Sequence, residues 1–156
     1  MQKTYNEKLN NTKDLPRVQF VGLDDKMAKR FGCGNMLIAA PKEYDEIMKM
    51  IPEGKVITSD EIRAYLAQKH NADFTCRLTA GMFINIAAHA SQERENSGSN
   101  DITPYWRTLK KGGELNEKYP GGIDQQKFLL EAEGHEILKK GKRYYVKDYE
   151  KALYHL

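Results

Sequence analysis

The side chains of this 156-residue chain able to support covalent or metal chemistry are few: two cysteines, Cys33 and Cys76, and four histidines, His70, His89, His135 and His155. The cysteines have no CxxC spacing and no adjoining histidine to take a proton, which fits free thiols in a reducing compartment rather than a disulfide or a zinc site. The histidines are scattered singly, without the paired spacing that metal ligation needs. The sequence therefore points to no metal, no cofactor and no nucleophile activated by a neighbouring base. What remains is binding chemistry, and it is cationic. Lys110 and Lys111 stand before a glycine pair, and Lys139, Lys140 and Lys142 crowd a second turn. Lysines so placed can hold phosphates, although at turn tips they are more often simply solvated.

The elements that must position these groups have to be built from one ordinary domain's worth of chain. Hydrophobic residues make up 40% and charged residues 30%, enough for a core under a soluble surface. The net charge of +3 is mildly basic, short of the excess that by itself marks a nucleic-acid binder. No apolar run approaches the roughly 20 residues of a membrane span, and the polar first residues lack the apolar centre of a secretory signal. A cytoplasmic location with no membrane partner is expected.

Residues 1 to about 15 read as loose, and residues 1–40 as an irregular N-terminal extension with short apolar runs at VQFVGL and NMLIAA. From Pro41 the pattern sharpens into a domain over 41–156. Pro41 suits a first helical turn, and Tyr44, Ile47, Met48 and Ile51 follow at helical spacing before Pro52 and Gly54. Lys55-Val56-Ile57 reads as a strand, and Thr58 with Glu61 as a capping box for a helix carrying Ile62, Tyr65 and Leu66 to His70. A third helix is expected from about Thr75, with Leu78, Met82, Phe83, Ile86, Ala87 and Ala90 in step, and residues 91–101 form its solvated end and a loop. A strand over Tyr105–Leu109, a helix behind Gly121-Gly122 ending at Gly134, a hairpin around Lys140-Gly141 and a short helix capped by Asp148 complete the chain. The fold class this predicts is α+β, mainly helical: a winged helix-turn-helix with small hairpins.

Three stretches resemble the C-terminal, DNA-binding domain of O6-alkylguanine-DNA alkyltransferases and their cysteine-less alkyltransferase-like members. IPEGKVITSDEIRAYL is similar to the family's opening, CRLTAGMF to its A-R-x-V-G-x-A-M, and TPYWRTLKKGGELNEKYPGGIDQQKFLLEAEGHEI to its P-C-H-R-V, Y-x-G-G, K-x-x-L-L and E-G-H in order. The resemblance runs from Pro41 to Ile137. Between Pro104 and Arg107, however, the reactive cysteine and its histidine are replaced by Tyr105 and Trp106. A phenol with a pKa near 10 cannot stand in for a thiolate as alkyl acceptor.

The resemblance thus implies no catalytic residue and no enzyme. It implies a protein that binds double-stranded DNA, recognises O6-alkylguanine or distorted sites through a minor-groove recognition helix, and flags them for repair proteins. The DNA-binding residues implied are Thr58, Ser59, Arg77, Thr79, Ala80, Gly81 and Asn85, with Arg77 filling the gap left by an extruded base. The implied base pocket comprises Tyr105, Trp106, Arg107, Tyr119, Gly121 and Gly122, while Glu133 loses its catalytic target and becomes a helix-end contact. Two alternatives remain: a winged-helix regulator that ignores lesions, and an alkyltransferase using another cysteine.

Overall fold

The computed structural model describes residues 2–156. The N-terminal forty residues are more ordered than their polar sequence predicts. Helix α1 (Tyr5–Leu9) is capped by Thr4, whose hydroxyl accepts from the Glu7 N–H. Strand β1 (Arg17–Val21), helix α2 (Lys26–Phe31) and strand β2 (Gly34–Ile38) follow. A five-residue helix is marginal alone, and α1 persists because it docks. The Tyr5 and Asn6 N–H groups donate to the Glu93 carboxylate at 2.8 and 3.0 Å, and Arg94 donates to Asn6 Oδ1 at 2.7 Å. Leu9 enters the main core. The hydrogen bonds that hold α1 reach more than eighty residues along the sequence, which is why local polarity misreads it.

Helix α3 (Pro41–Met50) forms where its periodicity places it, burying Tyr44, Ile47 and Met48. The next strand, β3, is Ile57–Thr58, two residues later than Lys55. Val56 instead bridges to Leu153. Helix α4 (Ser59–Lys69) has Thr58 as its N-cap, but the Thr58 side chain makes no capping hydrogen bond. Thr58 is buried in the strand, so the expected capping box does not form. Phe74–Thr75 is not the start of the third helix but β4, parallel to β2, with the Cys76 N–H donating to Leu37 O at 2.8 Å. Helix α5 therefore begins at Arg77 and runs twenty residues to Asn96, through part of the stretch expected as loop.

Residues Tyr105–Arg107 make a 3-10 turn instead of a strand, followed by β5 (Thr108–Leu109) parallel to β3. Helix α6 (Gly122–Ala132) starts behind Gly121, whose φ of 77° is a left-handed conformation that glycine tolerates. Strands β6 (Ile137–Lys140) and β7 (Arg143–Val146) pair as the expected antiparallel hairpin. The chain closes with a 3-10 turn, Tyr149–Ala152, rather than an α-helix; its N-cap Asp148 makes no side-chain capping bond.

The result is the α+β, mainly helical class expected, with α4 and α5 as the two helices of a helix-turn-helix whose connection carries β4. One core gathers α1, α3, α4 and α5 around Tyr105 and Tyr119, and a second joins Leu109, Leu115, Leu130 and Val146. A third packs Val21, Met36 and Ile38 against Cys76. Among the described residues no helix is long and apolar enough to cross a membrane.

Candidate nucleic-acid interface

The face that α5 offers to solvent follows from its buried stripe. Ala80, Ile84, Ala87, Ala88 and Ser91 are buried, and at about 100° per residue they form one side of the helix. Leu78, Met82 and Asn85 fall on the opposite side. Leu78 and Met82 are accordingly 53% and 52% exposed, against the expectation that they belong to the apolar face. Gly81 lies beside them, and a Cβ added there would meet nothing within 4 Å.

Next to this face opens a pocket of about 170 Å³ lined by Ser59, Gly81, Asn85, Thr108, Asn116 and Tyr119, among others. At about 30 Å³ per water it has room for roughly five or six waters, well under the 300–1,000 Å³ of drug-sized sites. That is a space for one small planar group. Its far wall is pinned by hydrogen bonds. Asn116 Nδ2 donates to Asn85 Oδ1 at 3.0 Å, Asn116 Oδ1 accepts from the Lys118 N–H at 2.9 Å, and the buried Asn116 N–H donates to Gln126 Oε1 at 2.7 Å. Tyr119 OH donates to Thr108 O at 2.8 Å, and burial pushes its phenol above the ordinary range. The Thr108 hydroxyl, by contrast, is buried with no hydrogen-bond partner. An unpaired buried hydroxyl is a cost to the fold, and closed to solvent it is not open to a ligand in the pocket.

The rim is charged. Lys110 Nζ lies 3.3 Å from Glu117 and 3.7 Å from Glu114. The Glu117 carboxyl is held below its usual range by its own backbone N–H, with burial opposing and Lys110 assisting. Lys139 and Lys140 lie 5.7 and 5.6 Å from the ring centroids of Tyr144 and Tyr145, on the β6–β7 hairpin.

The residues expected to touch DNA divide. Ser59, Gly81 and Asn85 share the pocket. Arg77 is exposed at the first position of α5, its Nη2 donating to Arg30 O at 2.9 Å. Thr79 is half-buried, its hydroxyl directed back to Cys76 O at 3.5 Å, and Ala80 and Thr58 are buried. Cys76 is buried and Cys33 exposed.

Of the expected base-pocket residues, only Tyr119 lines this pocket. Tyr105 is 3% exposed and stands behind Tyr119, the two rings edge to face at 5.2 Å. Burial, with a smaller push from the Glu95 charge, raises its phenol to about 12. Tyr105 and Trp106 instead border a separate, polar cavity with Gln92, Glu95 and Gln125. Trp106 and Arg107 converge on Glu133: Trp106 Nε1 donates at 2.8 Å and Arg107 Nη2 at 2.7 Å. The Gly54 N–H adds a third donor, and Arg107 Nη1 reaches Ile51 O. Glu133 is thus the structural helix-end contact its sequence position implies. Burial alone would raise its carboxyl, but the donors and the guanidinium charge hold it below the usual range. Gly121 and Gly122 shape the start of α6. Tyr105 tucks under Tyr119, and the Tyr105–Arg107 turn packs in the interior and does not line this pocket.

Asn116, Lys118 and Thr108 are pocket residues the sequence did not single out. Their signal was faint: NEKYPGG reads as a loop, and only the pairing of β3 with β5 brings it against α5.

No protein-family model matches the chain, and no curated protein matches it. Two solved structures do. One is Schizosaccharomyces pombe Atl1 in complex with damaged DNA containing O6-carboxymethylguanine, at TM-score 0.53 and 20% identity, covering 74% of this chain and 94% of that one. The other, S. pombe ATL in complex with DNA, gives TM-score 0.51 with the same identity and coverage. At this identity the likeness is one of fold: along 74% of its length this chain has the fold of the alkyltransferase-like protein of S. pombe.

Proposed function

We propose that the protein is a non-enzymatic DNA-binding protein that recognises alkylated or otherwise distorted duplexes and marks them for repair. In this reading α5 lies in the minor groove, Arg77 meets the backbone at its N-terminus, and the pocket beside Gly81 receives an extruded base. The carrying observation is that pocket, which opens on the exposed face of the second helix of the helix-turn-helix. The likeness to a structure that holds damaged DNA supports it. Extrusion costs a few kcal/mol of unstacking, least at a damaged base, and the Asn85 and Asn116 amides that line the pocket offer hydrogen bonds in return.

In this reading no alkyl group is transferred, and no cysteine lines the pocket. The Tyr105 phenol is buried with its pKa raised, and Cys76 is packed in the third core. Titration against matched duplexes with and without O6-methylguanine, at two salt concentrations, tests the proposal. Tighter binding to the damaged duplex, weakening with salt, and an unchanged protein mass afterwards are expected. Equal affinity for both duplexes would favour a lesion-blind regulator, and a methyl gained on Cys33 or Cys76 would restore enzymatic chemistry.

A further inference from the structure

Two large apolar side chains stand in water on the face of α5 that borders the pocket. Leu78 and Met82 are one turn apart, each more than half exposed, and they flank Gly81, above which the surface is open. Exposed helix positions ordinarily carry polar residues, and about half of each of these side chains stays open to solvent. The residue expected to fill a vacated base stack, Arg77, is turned the other way, its guanidinium lying on Arg30 O near the end of α2.

We propose that Leu78 and Met82 form an apolar wedge that enters a base step from the minor groove, unstacking and kinking the duplex beside the pocket, while Arg77 holds a phosphate. The inference rests on the reading of α5 as the groove-binding helix. Minor-groove proteins commonly insert Leu or Met in this way, because an apolar side chain replaces stacking contacts and needs no hydrogen bond. The surroundings fit DNA as the occupant. The first turn of α5 carries no acidic residue, Arg77 begins the helix, and Lys110 and Lys118 line the adjoining pocket. Glu117 is the acidic side chain among those lining residues, and it is paired with Lys110. Gly81 and Asn85 make a second row alongside Leu78 and Met82, so a step opened by the wedge would lie at the pocket mouth.

The test uses the full chain and a duplex labelled at its ends for energy transfer, with and without O6-methylguanine. The wild type should bend the duplex by an amount within the roughly 20–90° seen for side-chain wedges. A Leu78→Ala, Met82→Ala variant should fold with an unchanged thermal midpoint, because both side chains are exposed, and still bind DNA, but lose most of the bend. A Leu78→Met, Met82→Leu exchange should keep it. A double-alanine variant that bends DNA like the wild type would overturn the wedge, as would wild-type binding without any bend. Equal bending of damaged and undamaged duplexes supports the wedge and counts against lesion recognition. A preference for damaged DNA without bending does the reverse.

Discussion

Glu133→Ala is expected to lower folding stability by about 1.5–3 kcal/mol, the range for hydrogen bonds to a charged group. The carboxylate accepts from the Trp106 indole, the Arg107 guanidinium and the Gly54 N–H, and the Arg107 and Glu133 side chains are 14% and 6% exposed. Alanine leaves a part-buried cation with Ile51 O and the Trp106 ring as its partners, together with an indole N–H that has lost its acceptor. Trp106 is the single tryptophan of the chain, so a urea titration followed by its emission reads the loss directly. A loss under about 1 kcal/mol, the range of exposed pairs, would contradict this. The pair also sets an acid limit. Because the folded carboxyl titrates below its unfolded value of about 4.3, its stabilisation is complete above that pH. It fades as the pH falls through the folded pKa, so the difference between wild type and variant should shrink in acid.

Gly81→Leu should have the largest effect on recognition with the least on folding. The backbone at Gly81 is helical and a Cβ there meets open space, so replacing glycine should raise helix stability by up to about 1 kcal/mol. The added side chain projects across the pocket mouth. Preference for an O6-methylguanine duplex over its undamaged match should fall by about tenfold or more, equivalent to 1.4 kcal/mol, leaving only salt-sensitive backbone affinity. Gly81→Ala, adding one methyl, should keep most of the preference. An undiminished preference in the leucine variant would mean that no base enters there.

The elements whose stability is local were legible before the structure. Pro41 with its 3-4 spacing gave α3, Gly121 gave the start of α6, and lysines around Gly141 gave the hairpin. Elements ordered by distant partners were not. Helix α1 depends on Glu93 and Arg94, and β4 depends on β2, so Thr75 reads locally as a helix start. The pocket was legible only by half for the same reason. Ser59, Gly81, Asn85 and Tyr119 came from motifs along the chain, whereas Thr108, Asn116 and Lys118 face α5 only once two residues of β5 pair with β3. Periodicity also misassigned Leu78 and Met82. A twenty-residue helix with an alanine-rich buried side leaves room for a second apolar row, and pattern alone does not say which row is inside.

The central claim is that a base leaves the duplex and enters the pocket beside α5. Placing 2-aminopurine opposite or next to O6-methylguanine tests this directly, because its emission rises when stacking is lost. Saturation with the wild-type protein should raise that emission, and Gly81→Leu should abolish the rise while still binding. No rise at saturation, with binding confirmed on the same sample, would contradict the account and leave a helix-turn-helix protein that holds DNA without opening it.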